Sequence, residues 1–296
     1  MAALPPHTGI NFTSTIHKDI NLSTDPNKSD LSQPSKVILI TGAGRGIGRS
    51  VALQYAAAGV ATVIICARTA TELDEVEQAI HSINSSVKVR KLPLDISNEE
   101  DVATAARKIK TEEGRLDVLV NNAGASDDWT PIGEGDVKQY WNTWTVNFKG
   151  TYLMLHGFLP LLVETAKEKN TLVDVVNVTS IGAHVITPGA SAYQTSKFAM
   201  LRLTEFVQAE YGDKGVNCVA VNPGGVLTRM SAEVDAIRPM LTDTPDMCGG
   251  FIVWFTKGQR SWLSGRYLSA TWDVDELEAK RSEIVQGEKL KMRMVV

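Results

Sequence analysis

The chain of 296 residues has few cysteines, no long apolar run and no dense cluster of positive charge. Its three cysteines, Cys66, Cys218 and Cys248, are far apart and lack the spacing of metal ligands, so neither a disulfide framework nor a metal site is expected. The longest apolar runs, such as FIVWF, are far shorter than the roughly 18 residues that a membrane-spanning helix needs. These absences predict a protein of a reducing compartment, the cytoplasm, without a membrane segment.

Charge of both signs is scattered along the chain. Charged residues make up 22% of it, and the formal net charge is -4. The most basic stretch, KLKMR near the C-terminus, is too short to bind a phosphate backbone, so no nucleic-acid partner is expected. With 43% hydrophobic residues, the composition is that of a globular protein with a large core.

Short apolar runs alternate with amphipathic helical patterns. Because the runs are almost wholly apolar, they predict strands buried on both faces of a parallel sheet. Helices between the strands predict right-handed βαβ units, and hence an α/β, single-domain, Rossmann-type doubly wound sheet of about seven strands with helices on both faces. The predicted strands are 36–41, 61–67, 87–94, 116–121, 172–179, 216–222 and 265–271, with long helical regions over 136–167 and 191–211.

Three regions follow from this pattern. Residues 1–35 are polar and without periodicity, which predicts an N-terminal arm, disordered or draped over the body. Residues 36–272 form the predicted dinucleotide-binding catalytic domain, with an irregular substrate lobe of short helices at about 224–250. Residues 273–296 are charged and helix-prone, which predicts a C-terminal helical tail.

The first predicted strand leads directly into TGAGRGIG, residues 41–48. Glycines at Gly42, Gly46 and Gly48 allow a tight turn that brings backbone N–H groups against a ligand, at the positive end of the following helix. This arrangement favours a diphosphate. Such turns also occur merely for close packing, and that alternative stays open for the turn taken by itself.

The second predicted strand ends in CART, where a dinucleotide site usually reveals its cofactor. An acidic residue there binds the ribose 2′-OH of NAD, whereas arginine accommodates the 2′-phosphate of NADP. Here Ala67 replaces the acid, Arg68 follows, and Arg45 in the glycine turn can reach the same place. Two cations without a carboxylate favour NADP(H), the alternative being that both arginines are ordinary solvated residues.

The stretch SAYQTSKFAM places Tyr193 one helical turn before Lys197. Residues four apart share a helix face, so the ammonium group can act on the phenol. An ordinary tyrosine has a pKa of about 10, and acid/base work near neutrality needs that pKa lowered by roughly three units. A nearby positive charge lowers it. By itself the pair is equally typical of an amphipathic surface helix.

Five motifs now stand in order: the glycine turn, NNAG at 121–124, Ser180, Tyr-x-x-x-Lys at 193–197 and Asn-Pro-Gly at 222–224. With these motifs the sequence resembles the short-chain dehydrogenase/reductase family over about residues 36–272. The C-terminal tail, SATWDVDELEAK onwards, resembles forms seen in fungal members.

The resemblance implies a catalytic tetrad of Asn147, Ser180, Tyr193 and Lys197. In it Tyr193 exchanges a proton with the substrate, Ser180 stabilises the developing alkoxide, Lys197 holds the nicotinamide ribose and Asn147 anchors a proton-relay water. Asn147 can equally be a structural kink residue. The implied cofactor-binding residues are Gly42, Arg45, Gly46, Ile47, Gly48, Arg68, Asp95, Ile96, Asn122, Ala123, Gly124, Tyr193, Lys197, Pro223, Gly224, Val226 and Thr228.

The expected activity is NADP(H)-dependent interconversion of a ketone and a secondary alcohol, in secondary metabolism, by a homodimer or homotetramer. Trp129, Trp141, Trp144 and Met230 favour a medium-sized apolar or aromatic substrate, although a place in the core is the default expectation for Trp141 and Trp144. Two alternatives keep the fold: non-redox chemistry such as epimerisation, dehydration or cyclisation, and a non-catalytic NADP-binding sensor.

Overall fold

The computed structural model describes residues 5–294. Seven strands form one all-parallel sheet in the order β3-β2-β1-β4-β5-β6-β7. The strands are β1 (Val37–Thr41), β2 (Thr62–Ala67), β3 (Lys88–Pro93), β4 (Val118–Asn121), β5 (Val173–Val178), β6 (Val216–Asn222) and β7 (Tyr267–Ser269). The predicted fold and all seven predicted strands are confirmed.

Helices cover both faces of the sheet. Along β1, Ile38 and Ile40 belong to one buried cluster, while Val37 and Leu39 belong to another on the opposite face. This division explains why the strands lack a polar side. The helices are α1 (Gly46–Ala57), α2 (Ala70–Ile83), α3 (Glu99–Glu113), α4 (Val137–Trp144), α5 (Thr151–Lys169), α6 (Ser191–Tyr211), α7 (Pro245–Lys257), α8 (Val274–Ala279) and α9 (Arg281–Gln286).

The long helical region predicted over 136–167 is interrupted. A π-helical stretch, Thr145–Gly150, separates α4 from α5. Asn147 lies in this stretch and is fully buried. Wider turns of this kind often accompany functional sites.

The prediction of an irregular lobe over 224–250 is wrong at its C-terminal end, because α7 begins at Pro245. Thr244 caps this helix, its Oγ1 accepting a hydrogen bond from the Met247 N–H, and proline suits the first turn. Gly249 and Gly250, which suggest a loop, instead allow close packing. A Cβ on Gly249 would lie 2.6 Å from Gln54 Cγ, and one on Gly250 2.6 Å from the Thr24 carbonyl oxygen.

The N-terminal arm lies against the body from residue 5 onwards. The Trp272 indole donates to the Gly9 carbonyl (3.0 Å), and the His17 ring pairs with the Asp273 carboxylate at 2.8 Å. Further along, Gln33 donates to the carbonyl of Val253 in α7. The arm therefore covers α7 and the segment that follows β7. None of the helices in the described part of the chain is both long and apolar enough to cross a membrane.

Candidate active site

A cleft opens at the carboxyl ends of the strands, where the order reverses between β1 and β4. In open α/β sheets this is where ligands bind. It is lined by residues from the ends of six strands, from α4 and α6 and from the lobe after β6. Among the sequence-predicted residues, its lining contains Gly42, Arg45, Gly46, Ile47, Arg68, Asp95, Ile96, Asn122, Ala123, Gly124, Tyr193, Lys197, Pro223 and Thr228.

The glycine turn forms one end of the cleft. Gly42 and Gly46 have φ values of +63° and +55°, which residues other than glycine rarely adopt. A Cβ on Gly42 would lie 2.8 Å from the Cα of Ala123. Gly48 lies behind the cleft, where a Cβ would come within 2.3 Å of the Gly42 carbonyl oxygen, so it lets α1 approach the turn. The cradle, at the N-terminus of a helix of 12 residues, fits a dinucleotide diphosphate.

Arg45 and Arg68 both line the adenosine end of this cleft, as the sequence predicts. No carboxylate stands at the end of β2, as the sequence shows, but one from another element shares this end of the cleft. Glu72, in the first turn of α2, also lines the cleft, and its Oε1 lies 2.6 Å from the Arg45 Nη1. The sequence conceals this pairing because the two residues lie on different elements.

Asp95 follows β3 and faces the same end of the cleft. Burial raises the pKa of its carboxyl, but hydrogen bonds from the side chain and backbone of Ser97 and the charge of Arg68 outweigh burial, so the pKa lies below its ordinary value. Ser97 donates both bonds to Oδ1, at 2.7 and 2.9 Å. The group is therefore an ionised acceptor, which suits an adenine amino group.

The NNAG segment connects β4 with the glycine turn. The Asn122 amide donates to the carbonyls of Thr41 and Gly42, at 2.9 and 3.2 Å. Thr41 Oγ1 accepts from the backbone N–H groups of Asn122 and Ala123. These four bonds fix the floor of the cleft, and Thr41 is a positioning residue that the motif comparison does not single out.

Lys197 is almost fully buried and lines the centre of the cleft. Its Nζ donates to the Val178 carbonyl at the end of β5 (2.9 Å) and lies 5.8 Å from the centroid of the Tyr193 ring. Burial lowers the pKa of the Lys197 ammonium to about 8. A Cβ on Gly124 would lie 3.6 Å from Nζ, so glycine keeps this part of the cleft open.

Tyr193 is half-buried beside Ser180 and Gly182. Burial raises the pKa of its phenol above the ordinary value, and a hydrogen bond with Ser180 lowers it only in part. Desolvation penalises the phenolate and is the largest effect on this group. Acidification of the phenol by Lys197 together with the oxidised nicotinamide ring stays a prediction.

The buried Asn147 side chain makes three hydrogen bonds to two different elements. Its side-chain oxygen accepts from the Ala125 N–H (2.8 Å), and its amide donates to the Ala125 carbonyl (2.9 Å) and to Ser196 Oγ (3.0 Å). Ser196 in turn donates to the Tyr193 carbonyl. The side chain thus joins the loop after NNAG to the helix that carries Tyr193, and the anchoring of a water by Asn147 stays a prediction.

The segment that begins with Asn-Pro-Gly contributes some residues to the cleft lining and others to the packing behind it. Pro223 and Thr228 line the cleft, whereas Gly224 and Val226 do not. Gly224, with φ of +91°, makes room for Asp243 and Met247, and Val226 is buried and forms a β-bridge with Asp243. Asn222, whose role the sequence leaves undefined, accepts from the Ile181 N–H directly after Ser180 (3.0 Å).

The aromatic residues of the expected substrate region are spread out. The backbone of Trp129 packs against Gly189 in the loop before α6. A Cβ on Gly189 would lie 2.7 Å from the Trp129 carbonyl. Met230 lines the cleft. Trp141 is 60% exposed and so does not belong to the core, and Trp144 is half-buried.

Comparison with known proteins agrees with this geometry. A family model described as short chain dehydrogenase matches residues 36–238. Short chain dehydrogenase mpl6 of Monascus purpureus is 43% identical over 300 residues, covering 99% of this chain and 100% of that protein. Short chain dehydrogenase pigC of Monascus ruber is 40% identical over 292 residues, covering 96% of this chain and 94% of the relative.

Solved structures show the same fold. A short chain dehydrogenase of Escherichia coli CFT073 complexed with NADPH matches with a TM-score of 0.73 at 28% identity, covering 82% of this chain and 99% of that one. One from Shigella flexneri 2A complexed with NADP matches with a TM-score of 0.72 at 26% identity, covering 82% and 99%.

A Rossmann-type sheet with a glycine turn at its order reversal is the frame of a nicotinamide-dependent oxidoreductase. The chain belongs to the short-chain dehydrogenase/reductase family. The resemblance stated from its motifs, including the likeness to fungal members, is confirmed.

Proposed function

We propose that this protein is an NADP(H)-dependent oxidoreductase that interconverts a ketone and a secondary alcohol on a medium-sized apolar or aromatic substrate. One observation carries the proposal: Tyr193 and Lys197 line the same cleft as the glycine turn, with Ser180 against Tyr193. The residues fit the cofactor along the cleft, from the arginines through the glycine cradle to Lys197.

When bound, NADP(H) supplies or accepts the hydride. In reduction, Tyr193 donates its phenolic proton to the substrate oxygen. Ser180 donates a hydrogen bond to the same oxygen, where negative charge develops in the transition state. Lys197 holds the ribose hydroxyls of the cofactor and keeps a positive charge beside the tyrosine.

The raised pKa of Tyr193 suits it for reduction, because the phenol keeps its proton until the substrate oxygen becomes basic. Oxidation needs the opposite state, a tyrosinate. The charge of Lys197, together with that of the oxidised nicotinamide ring, favours the tyrosinate. We therefore propose that acidification belongs to the loaded site, with Lys197 as one of its two sources.

Two observations support NADP(H) over NAD(H). Arg45 and Arg68 both line the adenosine end of the cleft, and related structures at 26% and 28% identity contain NADP or NADPH. The test is direct: the purified protein is titrated with NADP⁺ and NAD⁺ and then assayed with a panel of ketones. Tighter binding of NAD⁺ would overturn the preference.

We also propose a substrate class, an oligomeric state and a metabolic role. Met230 and the loop that carries Trp129 support an apolar or aromatic substrate. Exposed apolar side chains on α4, α5 and α6, namely Trp141, Tyr152, Phe198 and Phe206, support a homodimer or homotetramer. The cytoplasm is its proposed location. The similarity to fungal relatives is compatible with a role in secondary metabolism.

The non-redox alternative is decided by stoichiometry. In a reductase one NADPH is consumed for each alcohol formed, whereas epimerisation, dehydration or cyclisation leaves the reduced cofactor unchanged. A sensor would bind NADPH without turning over any substrate. The proximity of Ser180, Tyr193 and Lys197 favours the enzyme, because binding alone does not need this acid/base pair.

A further inference from the structure

The ion pair between Arg45 and Glu72 lies at the end of the cleft that distinguishes NADP from NAD. Arg45 Nη1 and Glu72 Oε1 are 2.6 Å apart, and both side chains line the cleft. The Glu72 side chain is 27% exposed and that of Arg45 51%. The pair is thus open to solvent and can exchange partners with a ligand.

Glu72 reaches this position because of two local features. It lies in the first turn of α2, where the helix dipole favours an acidic residue. It also packs on Gly44, where a Cβ would lie 2.6 Å from Glu72 Oε2 and 2.9 Å from Glu72 Cβ. Because Gly44 has no side chain, the Glu72 side chain can lie against its backbone.

We infer that Glu72 is a specificity-determining residue that holds Arg45 and thereby weakens the preference for NADP(H) over NAD(H). The inference rests on the proposed function. Arg68 makes no ion pair within 4.0 Å in the described part of the chain, although its charge acts on Asp95 from a longer distance, so its guanidinium can pair with a 2′-phosphate. Arg45 reaches that phosphate only by leaving Glu72.

Glu72 acts on the two cofactors in opposite directions. A 2′-phosphate carries about two negative charges and is repelled by the carboxylate. A ribose 2′-hydroxyl, in contrast, can donate a hydrogen bond to it. An exposed ion pair changes an equilibrium constant by a factor of up to about five, and the lost repulsion adds to this. Neutralising Glu72 is therefore expected to strengthen binding of 2′-phosphorylated nucleotides by about threefold to tenfold.

The experiment measures nucleotide binding by calorimetry, without substrate. Wild type, Glu72→Gln, Arg45→Gln and the double variant are titrated with NADP⁺, NAD⁺, 2′,5′-ADP and 5′-ADP. Glu75→Gln is the matched control, because Glu75 is exposed on the same helix and its removal changes the net charge equally. Glu72→Asp keeps the charge but shortens the side chain, and serves if the glutamine variant folds poorly.

The expected result is tighter binding of NADP⁺ and 2′,5′-ADP by Glu72→Gln, unchanged or weaker binding of NAD⁺, and a smaller gain when Glu72→Gln is added to Arg45→Gln. Glu72→Asp gives a smaller gain, and Glu75→Gln gives less than twofold. Equal effects of Glu72→Gln and Glu75→Gln would overturn the inference while leaving NADP dependence intact. A loss confined to NAD⁺ would also overturn it, since Glu72 would then only bind the ribose. If wild type binds none of these nucleotides, the proposed function itself fails.

Discussion

Lys197 lies one helical turn after Tyr193, with its Nζ 5.8 Å from the centre of the tyrosine ring, but donates its hydrogen bond to the Val178 carbonyl. The ammonium group is thus held by the end of β5, and we propose that it acts on the phenol through its charge. A second lysine, Lys214 in the turn after α6, lies 4.5 Å from the centre of the Tyr211 ring, and neither residue lines the cleft. The two pairs offer a matched comparison.

Lys197→Met is expected to move the pH dependence of alcohol oxidation to higher pH. A unit charge about 6 Å away at an effective dielectric constant of about 20 is worth roughly 3 kcal/mol, or about two pKa units. Loss of this charge disfavours the tyrosinate, so kcat/KM at pH 7 falls by about 100-fold and recovers partly as the pH rises. The profile is measured with NADP⁺ and an alcohol substrate.

Lys214→Met is the control, because it also removes a lysine from beside a tyrosine but leaves the cleft unchanged. Its profile is expected to match that of wild type. An unshifted profile for Lys197→Met would show that the charge of Lys197 has no part in setting the state of Tyr193.

Ser180→Ala is expected to lower kcat by about 100- to 1,000-fold, the usual effect of removing one donor to a developing oxyanion. Nucleotide affinity should remain, because Ser180 does not line the cofactor cleft. Steady-state kinetics and NADPH titration measure the two effects separately. Ser191→Ala, at the start of α6, controls for loss of a hydroxyl. A decrease in NADPH affinity equal to the loss of rate would contradict the assigned role.

Asn147→Ala is expected to destabilise the protein by about 2–4 kcal/mol, because it removes three hydrogen bonds and leaves the Ala125 backbone groups without their partner. Urea unfolding measures this loss. Activity falls with it, since the amide joins the cleft loop to the helix that carries Tyr193. Reduced turnover at unchanged stability would instead favour the water-anchoring role implied by the family.

Gly42→Ala is expected to abolish nucleotide binding. The φ of +63° is strained for alanine, and the added Cβ would lie 2.8 Å from the Ala123 backbone in the floor of the cleft. Gly114→Ala provides the comparison, because Gly114 has a φ of +67° but no atom within 4 Å of an added Cβ. That variant should lose about 1 kcal/mol of stability and bind NADPH normally. Normal binding by Gly42→Ala would place the diphosphate elsewhere.

The strands were predictable because burial on both faces of a parallel sheet leaves uninterrupted apolar runs, as in VILIT and VNCVAVN. The glycine turn and the Tyr-x-x-x-Lys pair were predictable because their chemistry depends on spacing along one element. The helix α7 was not, since Gly249 and Gly250 suggest a loop until their neighbours Gln54 and Thr24 are known.

The same limit applies to the site. The ion pair of Arg45 with Glu72 and the three bonds of Asn147 join different elements, and a local motif carries no sign of them. The raised pKa of Tyr193 in the cleft by itself could not be predicted for a related reason. Spacing shows that a lysine is near, but desolvation depends on everything that surrounds the phenol.

The central claim, that the Tyr193 hydroxyl transfers the proton, is tested most directly by Tyr193→Phe. This change removes one oxygen atom and keeps the ring that packs against Gly182. The measurement is the rate of NADPH oxidation with a ketone substrate at saturating cofactor, with NADPH affinity determined on the same sample. The account predicts binding within a few fold of wild type and a turnover lower by about 1,000-fold or more. Turnover near the wild-type value, with NADPH bound normally, would contradict it.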